Sequence, residues 1–99
     1  MKVVADVCVT PLTLNDSMAE AIAQCQIIFA KHQLKHNLHA CGTNLEGEWD
    51  TVMTAIKECH QTLHARGIAK ISSAIKISTR SDHKPHSIDR KIASVRELV

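Results

Sequence analysis

From Lys2 to Thr10 apolar and polar residues alternate. Val3, Ala5, Val7 and Val9 share one face and Val4, Asp6, Cys8 and Thr10 the other, which predicts a strand with one apolar and one mixed face. Pro11 closes it, because proline donates no ladder hydrogen bond. The period then changes. Met18, Ala21, Ile22, Cys25, Ile28, Phe29 and His32 recur at helical spacing behind a Ser17–Glu20 capping box. Lys35 to Thr43 is predicted as a second strand, with Leu38 and Ala40 inward and Asn37, His39 and Cys41 on the opposite face. A third strand begins in Asn44–Leu45–Glu46 and runs into Gly47 and Trp49. About Asp50 to Ala65 a second helix is predicted on the stripe Val52, Met53, Ile56, Cys59 (or His60) and Leu63. Glu48 and Asp50 suit the positive end of its dipole, and Arg66–Gly67 makes its stop. Ile68 to Thr79 alternates again, with Ile71, Ser73, Ile75 and Ile77 on one face. Arg80 to Pro85 is polar and turn-like, and Ser87 to Leu98 forms a last helix along Ile88, Ile92, Val95 and Val99.

This order, β-α-β-β-α-β plus a terminal helix, predicts an α+β ferredoxin-like fold. Two helices cover one face of a four-stranded antiparallel sheet. The other face would carry Asp6, Cys8, Thr10, Asn37, His39, Cys41, Ser72 and Lys76, a mixed surface suited to contact with another subunit. The 99 residues make one domain, 1–99, with 44% hydrophobic and 22% charged residues, as in ordinary globular chains. Aromatics are only 2%, so aliphatic residues, Met and Cys must fill the core. A domain this small gains from oligomerisation. The formal charge of +2 is too small to point to nucleic acid or an anionic membrane. No stretch has the roughly 20 apolar residues that span a bilayer, and the acid in Met1–Asp6 argues against a signal peptide. The expectation is a soluble cytoplasmic domain. Its four cysteines, none in a CxxC pair, are expected to be reduced structural thiols.

Chemistry concentrates in Cys41–Asp50, which holds two of the three glycines, the only tryptophan and three carboxylates. A loop of that composition, where the period changes from strand to helix, is the expected site. Elsewhere Ser73 interrupts the inward line of its strand, and a buried hydroxyl there requires a partner, a neighbouring carbonyl or a ligand. Asn37, Ser72 and Thr10 are further polar strand positions within reach of a ligand. His60 and His64 are four apart on one helical face, but Gln61 stands where the metalloprotease pattern has Glu, and no native metal site is expected. No catalytic residue is expected either. Cys59 and His60 are adjacent on a helix and point apart, and Asp6 with Lys76 reads as a cross-strand ion pair. An RNA-binding sheet would present aromatics on its open face, and this one has none.

With these residues placed, the chain resembles the thiamine-binding protein family, the single-domain relatives of the two-repeat YkoF protein. The most specific part is Gly42-Thr43-x-x-Glu46-Gly47-x-Trp49-Asp50. Ala55-Ile56-Lys57, Cys59-His60, Ile75-Lys76-Ile77, Arg80, Asp82 and the strand-ending Pro11 support it. Cys41 and Leu12-Thr13 depart from the pattern, which has Met in many members and an early Gly. The resemblance implies a dimer or tetramer that binds thiamine or its hydroxymethylpyrimidine half for salvage or transport, without catalysis or cofactor. An aminopyrimidine beside a cationic thiazolium needs acceptors, a donor and a π face. Thr43 and Glu46 are therefore expected to orient the pyrimidine, with Trp49 along the ring system. The competing reading is a small-molecule sensor or structural oligomeric subunit of the same fold.

Overall fold

The computed structural model describes residues 1–13 and 17–99. The elements are β1 (Lys2–Pro11), α1 (Met18–Lys31), β2 (Lys35–His39), β3 (Gly42–Glu48), α2 (Trp49–Ala65), β4 (Ile71–Ser78) and α3 (Ile88–Arg96). The four strands form one antiparallel sheet in the order β2-β3-β1-β4, the ferredoxin-like arrangement.

Strand parity builds the core. Val3, Ala5 and Val7 of β1 and Leu45 of β3 face the helices and are buried. They meet Ala21, Cys25, Ile28 and Phe29 of α1 and Val52, Ala55, Ile56, Cys59 and Leu63 of α2. Burying each large side chain in such a cluster contributes roughly 1.5–3 kcal/mol. Ser17 caps α1 by accepting from the Glu20 amide at 3.1 Å. Both long helices end through a left-handed residue, Gln33 (φ 58°) and Gly67 (φ 93°). Each then returns an amide to the last turn, Leu34 to the Phe29 carbonyl at 3.1 Å and Ile68 to that of Leu63 at 3.2 Å. Leu34 and Ile68 are thereby driven into the core.

Three expectations need correction. The second strand stops at His39 rather than Thr43, and Ala40–Cys41 turns the chain, so Thr43 belongs to β3 and Cys41 to the turn. The 41–50 stretch is not a loop but mostly strand. Its glycines answer to packing, since a Cβ on Gly42 would lie 2.8 Å from the Val7 carbonyl oxygen and one on Gly47 2.5 Å from Leu34 Cδ2. Finally, β4 begins at Ile71 rather than Ile68. On the sheet's mixed face, α3 packs over part of the surface. Glu46 and Lys35, both on that face, contact the amide of Ile88 and the carboxylate of Asp89, and Ile88 and Val4 are buried. No helix among the described residues is long and apolar enough to cross a membrane.

Candidate functional site

The β1–β3 pairing ends at Val7–Thr43, one residue from the start of β3, so β1 runs on beyond the β2–β3 turn. Under α1, between that turn and the C-terminal end of β1, lies a cavity of about 230 Å³. Its apolar wall comes from Val7 and Val9 of β1, Ile22, Cys25 and Phe29 of α1, and Leu38 of β2. Gln26 and Thr43 supply polar side chains from the helix-covered face, while Thr10 and His39 line the rim from strand positions on the opposite face, and Met18 also lines it. A largely apolar concavity with a few converging polar groups is the usual form of a small-molecule site.

Two hydrogen-bonded units hold those polar groups in place. Thr43 is only 4% exposed, and its Oγ1 accepts from Gln26 Nε2 at 2.9 Å. That leaves the Thr43 hydroxyl proton as donor and the Gln26 carbonyl oxygen as acceptor, adjacent in the wall. In the second unit, the Cys41 amide donates to His39 Nδ1 at 3.2 Å. The proton of this imidazole therefore sits on Nε2, which donates to Asp6 Oδ1 at 2.6 Å. Asp6 also accepts from Asn44 Nδ2 at 3.2 Å. The expected Asp6–Lys76 ion pair does not form, although the two residues are register partners. Cys25 shares its thiol hydrogen bond with Cys59 on α2. That bond, with burial, pushes the Cys59 thiol up, so it is a neutral core group and no nucleophile.

Of the six site residues expected from sequence, the structure brings Thr43 and Thr10 to this cavity. Glu46 lies three residues from Thr43 and hence on the opposite face of β3, where its Oε1 accepts from the Ile88 amide at 2.7 Å. The two cannot both orient one ring within this cavity. Trp49 is the first residue of α2, 38% exposed, with its amide bonded to the Met1 carbonyl at 2.9 Å. Asn37 is exposed on the edge strand opposite Asn44. Ser73 finds its partner within the protein, His60 Nε2 at 2.6 Å. Gln26, His39, Ile22 and Leu38 were missed. Gln26 carried a signal, being a polar residue that follows Ile22 by one turn on the edge of the apolar stripe. The cavity role of His39 depends on a turn whose position the sequence pattern does not mark.

Neither His60 nor His64 is a ready ligand: His60 holds Ser73, and His64 Nδ1 donates to the Ile68 carbonyl at 2.7 Å. Among the described residues no group of three or more His, Cys, Asp or Glu side chains is placed to hold a metal ion.

Fold and cavity together define a small α+β domain of ferredoxin-like arrangement with a concavity under α1. Its sequence matches the family model described as thiamine-binding protein over residues 5–96, and the chain belongs to that family. It is 44% identical over 95 residues to a UPF0045 protein of Synechocystis, covering 96% of this chain and 78% of the relative. It is 36% identical over 97 residues to a UPF0045 protein of Methanocaldococcus jannaschii, covering 98% and 95%. A solved structure of the M. jannaschii protein superimposes with a TM-score of 0.86 over 98% of each chain. A Thermotoga maritima structure, provisionally described as a thiamine biosynthesis/salvage protein, shares the fold with a TM-score of 0.81 at 20% identity, over 97% of this chain and 100% of its own.

Proposed function

We propose that the protein binds thiamine or its hydroxymethylpyrimidine moiety in the cytoplasm, without catalysis, for salvage or transport. The observation that carries this reading is the Gln26–Thr43 pair in the cavity wall. An aminopyrimidine presents an amine donor beside a ring-nitrogen acceptor, and the pair offers an acceptor beside a donor. The cavity of about 230 Å³ is smaller than the roughly 300–1,000 Å³ of drug-sized pockets. It therefore suits the pyrimidine ring, with the cationic thiazolium outside, since no carboxylate lines the wall. The family description and the Thermotoga relative support the same ligand class.

Calorimetric titration of thiamine and of hydroxymethylpyrimidine into wild type and Thr43→Val tests the proposal. Valine preserves shape and removes the hydroxyl, so affinity should fall about 2- to 13-fold, the equivalent of one neutral hydrogen bond. Absence of binding to wild type, or equal affinity in the variant, overturns it. The protein is further proposed to self-associate as a dimer or tetramer, because Val95, Leu98 and Val99 near the C-terminus, with Leu38 and Ile75 on the edge strands, leave large apolar side chains exposed.

A further inference from the structure

The segment from Thr79 to Arg96 holds five of the chain's twelve Lys and Arg residues but two of its ten Asp and Glu residues. Its formal charge is +3, leaving −1 for the rest of a +2 chain. These cations converge. A second cavity, of about 250 Å³, lies between the 80–86 loop and one side of α3, lined by Arg80, Lys84, His86, Arg90, Lys91 and Ser94. No acidic side chain lines it.

The loop that carries half of this wall is held by its own hydrogen bonds. Asp82 accepts from Arg80 Nε at 2.9 Å, from Arg80 Nη2 at 2.5 Å and from the Lys84 amide at 3.3 Å. His86 Nε2 donates to the Ser78 carbonyl at 2.9 Å. Between them His83 is held in the left-handed region, φ 62°, a strained conformation for a non-glycine residue. Asp82 thus satisfies Arg80, and the nearby Asp89 is drawn away to Lys35. The remaining cations, Lys84, Arg90 and Lys91, have no carboxylate partner among the described residues. Three like charges gathered around one concavity repel one another unless an anion sits between them.

We propose that this cavity binds the phosphoryl group of a small phosphorylated molecule, with Arg90 supplying a planar fork to its oxygens and Lys84 and Lys91 acting as point charges. A nucleic acid fits less well. The basic surface is a single pocket rather than a track along a strand, and neither of the chain's two aromatic residues, Phe29 and Trp49, lines it. The site is also separate from the first cavity. The 80–86 loop follows Ser78, which pairs with Val4, whereas the first cavity begins at Val7, three residues or about 10 Å further along β1, and shares no lining residue with the second.

Calorimetry with inorganic phosphate and inorganic pyrophosphate tests the proposal, using wild type, Lys91→Gln, Arg90→Gln and Lys57→Gln. The last removes an exposed cation of α2 outside the cavity. Saturable binding of one pyrophosphate per chain is expected, weakened about tenfold by Lys91→Gln or Arg90→Gln and unchanged by Lys57→Gln. Circular dichroism melts establish that each variant is folded, and thiamine affinity should be unaffected in all three. Absence of saturable binding overturns the proposal, and so does equal weakening by Lys57→Gln, which would mean a diffuse field. Sedimentation with phosphatidylserine-containing vesicles distinguishes the sources of phosphoryl chemistry. Vesicle binding without pyrophosphate binding would assign the surface to a membrane and overturn the soluble-ligand site.

Discussion

Removing the Glu46 carboxylate separates a ligand residue from a structural one. Its side chain is 14% exposed, and Oε1 accepts from the Ile88 amide at 2.7 Å, one of the orphan donors of the first turn of α3. A hydrogen bond to a charged group contributes roughly 1.5–3 kcal/mol, and the helix dipole adds about 0.3–1 kcal/mol. The Lys2 ammonium, 3.4 Å away and half exposed, adds little. Glu46→Ala should therefore destabilise the docking of α3 by roughly 2–3 kcal/mol. At about 4–8 °C per kcal/mol for a domain of this size, that is a Tm drop of roughly 8–24 °C if α3 unfolds with the rest. If α3 detaches on its own, the same energy appears as faster amide exchange confined to residues 88–96. Glu46→Gln keeps an acceptor for the Ile88 amide and loses only the charge, so roughly 1 kcal/mol is expected. Melting curves, amide exchange and thiamine calorimetry on the same samples complete the assay, with affinity unchanged to within about twofold. Unchanged melting and unchanged α3 exchange in Glu46→Ala would refute the capping role. Lost ligand affinity in a fully stable Glu46→Gln would return the residue to the binding site.

Three further outcomes follow from the same geometry. Gly42→Ala sets a Cβ 2.8 Å from the Val7 carbonyl oxygen, a backbone atom in the sheet, so denaturant unfolding should show a loss of roughly 1–3 kcal/mol. The Arg80 hydrogen bonds hold the Asp82 carboxyl at about 2, below its ordinary 3.8. Any stabilisation from that pair is complete above the ordinary value and disappears as pH falls through 2. An NMR titration should place the Asp82 midpoint there, and Arg80→Gln should return it to the ordinary range. Cys41 is exposed while Cys25 and Cys59 are buried, so brief alkylation of the native protein should label Cys41 and spare the other two, as read by peptide mass spectrometry.

The elements were legible because each rests on a local rule. Alternation marks the strands, the Ser17 cap and the apolar stripes mark α1 and α2, and Arg66–Gly67 marks a stop. Gly42 and Gly47 misled because a glycine demanded by close packing looks, in one dimension, like a glycine demanded by a turn. Ser73, expected as a buried hydroxyl needing a partner, is only partly buried, and its partner, His60, lies thirteen positions earlier on α2.

By itself the sequence determined the α+β ferredoxin-like order, the faces of β1 and β4 and most of the core, since side-chain parity and helical period are properties of adjacent residues. Tertiary structure alone decided where the cavity lies and which polar groups meet there. Gln26 reaches Thr43 across seventeen positions, and His39 reaches Asp6 across thirty-three. Such contacts depend on the angle at which α1 crosses the sheet and on where the β2–β3 turn falls, quantities set by packing of the whole domain.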